Sequence, residues 1–382
     1  MTQSVLISGG GIVGSYLGLE LAARNIPFQI IEKSHPKPSP IDHIRTLTLN
    51  LSAFERLNAL DVKTSAASIQ TMNVLDGVGT GQLVFSAQDA NLDYLAKVLS
   101  FNALKEALSN KVVDSTTAGK YIVSFASTGS GVEVVLSDGS DLKADLLVIA
   151  EGRNSELAQS IGSESFDKDY QQIAQTFFVD IPELNTTEAI QIFHEKEIFA
   201  LMPFNNHSSS HQFSVVWSAP KDSVVDLSVD NIDAHLHKFE KKLSCKIKVT
   251  SEILSFPLTS HHLNEYCDEG VCVIADSAHS IHPLAGQGIN LGLADASVLA
   301  DEIQNGISAG KDIGQLAFLK KYELRRKTLN SAMIKGVDLL FNLFQEESPY
   351  LRLLRNSGLK AVNKFSLLKK NFILHASGTH KI

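Results

Sequence analysis

The stretch that decides the fold is SVLISGGGIVGSYLGLELAARNIPFQIIEK, residues 4–33. It reads as a buried strand near Ser4–Ser8, a glycine turn, a helix and a second strand. Gly9, Gly11 and Gly14 stand in GxGxxG spacing, and Val13, Leu17 and Leu21 recur every four residues, as one helix face requires. In such a βαβ unit the first glycine makes the tight turn and the second lets a pyrophosphate approach the backbone. The third lets helix pack on strand, while the helix N-terminus stabilises the phosphates. Glu32 closes the second strand, where a carboxylate accepts hydrogen bonds from ribose hydroxyls. The pattern predicts a dinucleotide site without choosing between NAD and FAD.

A second stretch asks what passes close to its backbone: DSAHSIHPLAGQGINLGLADA, residues 276–296. Gly286 and Gly288 flank Gln287, and apolar positions Ile289, Leu293, Ala296, Ala300 and Ile303 predict a helix opening directly after them. Unpaired N–H groups at such a helix start attract a partly negative ligand. Asp276 follows GVCVIA, a strand whose end places its carboxylate toward hydroxyl donors; capping a helix is its plainer role. Between these stretches, DLLVIAEGRNSEL (145–157) predicts a buried strand over Leu146–Ala150, ending in Glu151-Gly152.

The 382 residues allow two or three domains with a sizeable core. A net charge of −8 and the lack of an arginine-rich arm exclude general nucleic-acid binding. The three cysteines form no CxxC pair, as expected for buried free thiols in a reducing cytoplasm. No signal-peptide pattern and no apolar run of about 20 residues occur, so a cytoplasmic protein is expected. His279 with His282, and His207 with His211, lack the further ligands zinc needs, and no metal is expected. Residues 350–382 hold seven Lys/Arg and no Asp or Glu, interleaved with apolar residues at near-helical spacing. Such a tail fits a helix packed on its own protein, or one lying against an anionic membrane surface.

In this order, the three motifs resemble the group A flavoprotein monooxygenases of the p-hydroxybenzoate hydroxylase type. HPLAGQGINLGLADASVLADEI (282–303), IFALMPF (198–204), SVVWS (214–218) and the ending LLRNSGLKAVNKFSLLKKNFILHASG (353–378) are similar to the ubiquinone-biosynthesis hydroxylases. The resemblance covers nearly the whole chain. It implies FAD held by Gly9, Gly11, Gly14, Glu32, Arg45, Glu151, Gly152, Asp276, Pro283, Gly286, Gly288, Ile289 and Asn290, with Pro283 and Gly288 near the flavin ring. It further implies that NADPH or NADH reduces the flavin, that O2 adds at flavin C4a, and that the hydroperoxide hydroxylates a prenylated phenol. No catalytic base is legible. Three residues depart from the family pattern: Ala275 for glycine, Glu151 for aspartate and Asn102 for arginine before a helix at 103–109. Ala275 asks only for an allowed backbone angle. Glu151 keeps the charge on a longer arm, and Asn102 removes a cation. A flavin-binding scaffold subunit of a quinone-synthesis complex and a soluble aromatic-catabolism hydroxylase are the alternative readings.

The expected architecture is α/β: a Rossmann-like FAD-binding domain (1–74, 92–164 and 258–330), an inserted β-rich substrate domain (75–91 and 165–257) and a C-terminal helical region (331–382). QLVFSA, AIQIF, FSVVWS and SEILSFPL are its expected substrate-domain strands. The tail at 350–382 would supply peripheral contact at the inner face of the membrane or with a quinone-biosynthesis complex.

Overall fold

In the computed structural model the described residues are 3–35, 42–129, 131–204, 211–224, 227–282, 286–345 and 365–378. The opening strand, Val5–Ser8, has all four residues buried and lies between Phe28–Glu32 and Leu146–Ile149, parallel to both. Val271–Val273 extends this parallel sheet on one side and Thr116–Ala118 on the other; Cys267–Asp268 closes one edge antiparallel. Helices Ile12–Ala23 and Gly288–Ser308 lie side by side, joined where Tyr16 Oη meets Ser297 Oγ at 2.8 Å. The core between sheet and helices is aliphatic, including Leu17, Leu21, Leu147, Val148, Leu299 and Ile303. Cys267 and Cys272 are buried neighbours, Sγ to Sγ 3.4 Å, whereas Cys245 is only half-buried.

The β-rich part is one large sheet. Its order runs His279–Ser280, Leu254–Leu263, Ser165–Asp180, Gln212–Pro220, Glu197–Pro203, Glu188–His194, Thr71–Asp76 and Gln82–Ser86, with Lys248–Val249 as a side pairing. All four strand-like runs named above contribute strands to it, although Ala87 of the first and residues 251–253 of the last lie outside the strands. Thr71–Asp76 straddles the boundary expected at 74/75, and Leu254–Leu263 the one at 257/258. One face carries Phe177, Phe199, Phe213 and Trp217 against the helix Ile232–Leu243, with the Phe199 and Phe239 rings stacked at 4.2 Å.

Within that face Gln175 is fully buried, and among the described residues neither its Oε1 nor its Nε2 meets a partner. An unpaired buried amide costs about 1–3 kcal/mol. Gln175→Met keeps the shape without the polar atoms, so it is expected to raise the apparent melting temperature by roughly 2 °C or more. A lower melting temperature would show that the amide is satisfied in solution.

The long helix Leu316–Gln345 begins well before residue 331 and lays Val337 and Phe341 on the opposite face of the large sheet. Helix Ser366–Ala376 is tied down by Lys369 Nζ to Asp89 Oδ2 (2.7 Å) and by Ser52 N–H to the Ser377 carbonyl (3.0 Å). It buries Ile373 but leaves Phe365, Leu367 and Phe372 exposed. The remainder of the basic tail lies outside the described residues. Among the described residues, no helix is long and apolar enough to cross a membrane.

Candidate functional site

Gly9, Glu32, Glu151 and Asp276 stand at or just beyond the C-terminal ends of four strands of the parallel sheet, where open α/β sheets bind their ligands. Gly9 (φ +104°) turns directly after the first strand, and a Cβ there would lie 2.5 Å from the Ala150 carbonyl oxygen. A Cβ on Gly14 would lie 1.9 Å from the Gly9 carbonyl oxygen, so helix and turn touch backbone to backbone. Around Gly11, by contrast, the space a Cβ would enter is open to 4 Å. The helix starting at Ile12 has no side-chain cap on its N-terminus. Glu32 ends the neighbouring strand, and its Oε2 accepts from Gly10 N–H at 2.6 Å, so the carboxylate borders the same turn.

Glu151 follows strand Leu146–Ile149. Ser8 Oγ donates to its Oε1 at 2.5 Å and Ser155 Oγ to its Oε2 at 2.6 Å. The extra methylene that distinguishes it from aspartate is thus accommodated by two serine hydroxyls. Ser277 Oγ donates to the Gly152 carbonyl at 3.0 Å, joining this loop to the one bearing Asp276.

Asp276 sits inside a one-turn helix, Ala275–Ser277, directly after strand Val271–Val273. It is exposed, although the surrounding chain crowds its carboxylate enough to strip solvent from it. Loss of solvation is the largest influence and raises its carboxyl above the ordinary range, while the His279, Arg153 and Arg45 charges oppose the rise. Arg45 is close enough to act on Asp276 and lies over the Phe101 ring at 4.1 Å, the first residue of a helix that runs Phe101–Lys111.

Helix Gly288–Ser308 also starts without a side-chain cap, and a Cβ on Gly288 would meet nothing within 4 Å. Asn290 holds this start in place: its Nδ2 donates to the carbonyls of Thr48 (2.9 Å) and Gly286 (3.2 Å), and its Oδ1 accepts from Asn50 N–H (2.9 Å). Ile289 is half-buried against the first core. Pro283 lies outside the described residues, as does His207. Among the described residues no three His, Cys, Asp or Glu side chains are placed to hold a metal.

Ala275 departs from expectation. Its φ is +54°, a left-handed angle that non-glycine residues adopt at a cost of about 1–2 kcal/mol. Its methyl is accommodated by a glycine on the facing helix. A Cβ on Gly292 would lie 2.9 Å from Ala275 Cβ and 3.0 Å from Val13 Cγ2. Gly292→Ala is therefore expected to cost about 1–3 kcal/mol of stability. Adding Ala275→Gly is expected to return part of that loss, read as a recovered melting temperature in the double variant.

The large sheet turns one face toward these loops, as Thr46 Oγ1 and Ser214 Oγ meet at 2.7 Å. On that face the long C-terminal helix covers Ala174, Ile198 and Phe193, and the small sheet of Thr46–Asn50, Ala66–Ile69 and Ala96–Ser100 packs beside Phe178 and Ala189. Between them runs a cross-strand row of Thr176, Val216, Ala200, Gln191 and Val74. Val216 and Val74 remain half-exposed although their strands are interior to the sheet, so the row borders open space.

A family model described as FAD binding domain matches residues 2–336. The 3-demethoxyubiquinol 3-hydroxylase of Escherichia coli K12 is 27% identical, with 98% of each chain covered. The ubiquinone hydroxylase UbiL of Rhodospirillum rubrum is 28% identical over 99% of this chain and 90% of its own. Among solved structures, an HpxO variant from Klebsiella pneumoniae complexed with FAD superposes with a TM-score of 0.79 at 17% identity, covering 99% of both chains. The p-nitrophenol 4-monooxygenase PnpA of Pseudomonas putida DLL-E4 gives a TM-score of 0.79 at 16% identity over the full length of both chains.

Proposed function

Because the chain belongs to the FAD binding domain family, we propose that it is an FAD-dependent aromatic hydroxylase acting on a prenylated phenol or quinol of ubiquinone biosynthesis. NADPH or NADH serves as reductant and O2 as oxidant. The observation that carries this reading is the approach of two uncapped helix starts to one turn: a Cβ on Gly292 would lie 2.9 Å from Ala275 Cβ and 3.0 Å from Val13 Cγ2, next to Asp276 and to the glycine turn that Glu32 borders. Relatives named as ubiquinone hydroxylases along nearly their whole length support the substrate class. The open space at Gly11 and the bare helix starts fit an extended dinucleotide.

In this reading, the N–H groups from Gly11 onward hold the pyrophosphate, and Glu32 accepts from the adenosine ribose. Asp276 accepts from the ribityl hydroxyls, with Arg45 and Gly152 beside the same turn. When bound, FAD would supply the redox chemistry for transferring one oxygen atom from O2 to the ring. The N–H groups at Gly288–Asn290, fixed by the Asn290 side chain, would stabilise negative charge on the flavin ring without having to reorganise. Val216, Ala200 and Val74 supply a water-excluding wall for an apolar ring. The exposed Phe365, Leu367 and Phe372 beside Lys370 give the C-terminal helix an apolar and basic surface, consistent with peripheral membrane contact.

The test is anaerobic flavin reduction by NADH and by NADPH, with and without a short-chain prenylphenol. The phenol is expected to accelerate reduction at least about tenfold, as for a substrate that must be seated before electrons arrive. Bound flavin that neither nucleotide reduces would favour a non-catalytic scaffold.

A further inference from the structure

The left-handed turn at Ala275 needs something to hold it, since neither its residue type nor its one-turn helix favours that angle. Its N–H donates to Asp295 Oδ2 at 3.0 Å. Asp295 is fully buried on helix Gly288–Ser308, and every partner it has is a donor. His279 Nε2 shares Oδ2 at 2.5 Å, while Arg326 Nε (2.6 Å) and Asn330 Nδ2 (3.2 Å) donate to Oδ1. Around this group, Arg326 also donates to the Leu291 carbonyl (3.3 Å), and Tyr266 stacks on His279 at 5.8 Å. Glu323 is occupied by the Tyr266 and Cys267 N–H groups at 2.9 and 3.1 Å. His279 itself lies on the edge strand paired to Leu254–Leu263 of the large sheet.

Resting on the role proposed above for Asp276, we infer that Asp295 is a positioning residue. It pre-forms the turn at Ala275 before the cofactor arrives, sets the direction of Asp276, and fastens that turn through His279 to the edge of the large sheet. Its burial keeps it from touching flavin or substrate. A carboxylate is required because its donors come from two sides. An asparagine would turn its NH2 away from the guanidinium, which cannot accept, and so toward Ala275 N–H, leaving that amide without an acceptor.

The proposal is read first in the wild-type apoprotein by hydrogen exchange at the Ala275 amide. Protection of roughly 100-fold or more without FAD is expected. Free exchange that becomes protected only when FAD is added would overturn pre-formation. The second arm is FAD titration by fluorescence quenching. Asp295→Asn is expected to weaken binding about tenfold or more. Ala275→Gly, which adopts the left-handed angle without an anchor, is expected to restore most of that affinity. In an Asp276→Ala background, Asp295→Asn is expected to add less than about twofold, as for two residues acting through one contact. Equal effects in both backgrounds, or no recovery by glycine, would reduce Asp295 to a general packing role. Should Asp295→Asn not fold, the exchange result decides alone. A wild-type chain that binds no FAD would instead sink the proposed function, leaving the exchange measurement readable.

Discussion

Gly14→Ala is expected to yield a protein that retains no flavin on purification and melts at least about 5 °C below the wild type. The added methyl would lie 1.9 Å from the Gly9 carbonyl oxygen, and no rotamer change relieves a clash between two backbones. Nor can the turn retreat. Gly9 is already pressed toward strand Leu146–Ile149, with its missing Cβ position 2.5 Å from the Ala150 carbonyl. Helix Ile12–Ala23 must therefore lift from the sheet, and its N-terminal N–H groups leave the place where a pyrophosphate is held. Overpacking of this kind costs on the order of 3 kcal/mol. Gly11→Ala is the informative control. Its methyl meets nothing within 4 Å, so the fold is expected to survive while flavin affinity falls, because the methyl takes the ligand's space. Thermal unfolding by circular dichroism and the ratio of flavin to protein absorbance check both variants. Normal flavin content in Gly14→Ala would remove the glycine turn from the site.

The second large effect is expected from Arg326→Met. Arg326 is buried and its Nε donates to Asp295 Oδ1 at 2.6 Å, so the substitution leaves a fully buried carboxylate short of its strongest donor. Removing one partner of a buried pair costs about 3–5 kcal/mol. The pH dependence has a definite sign. Burial pushes the Asp295 carboxyl up, but the charges of His279 and Arg326, with their hydrogen bonds, outweigh it and hold the group well below the usual carboxylate range. A depressed folded value means that the pair's contribution is fully present above the unfolded carboxylate value of about 3.9 and is lost as pH falls below it toward the folded value. The wild type is therefore expected to lose melting temperature on acidification below about pH 4, with Asp295 among the causes. Arg326→Met, starting lower, is expected to show a shallower fall over the same interval. Parallel pH profiles for the two proteins would show that Arg326 does not set the ionisation of Asp295.

The two expectations rest on different kinds of information. The Gly14 contact follows from a local pattern. A strand, three glycines at fixed spacing and a four-residue apolar repeat specify their own geometry over some thirty residues, and the structure realises it from Val5 to Glu32. The same locality made the buried strand Leu146–Ile149 and the helix Gly288–Ser308 legible, since period and turn chemistry are written in neighbouring residues. The Asp295 cluster is of the other kind. In sequence Asp295 is one acid within an amphipathic helix, and Arg326 one of several cations on a later helix. Nothing local says that both turn inward and share a carboxylate with Ala275 N–H and His279.

Likewise, Ala275 read in isolation suggests a mild exchange for glycine, whereas its left-handed angle and its fit against Gly292 exist only once strand and helix pack. Of the two serine partners of Glu151, Ser155 is a near neighbour in the chain, but Ser8 comes from the opening strand and meets it only in the fold. Sequence by itself determined the dinucleotide-type βαβ unit, the order of the motifs and several strand-like runs of the second sheet. Tertiary structure alone decided which strands that sheet recruits, Thr71–Asp76 among them, and which donors surround each buried charge. Periodicity reveals which face of an element is buried; what that face meets depends on contacts between residues far apart in the chain.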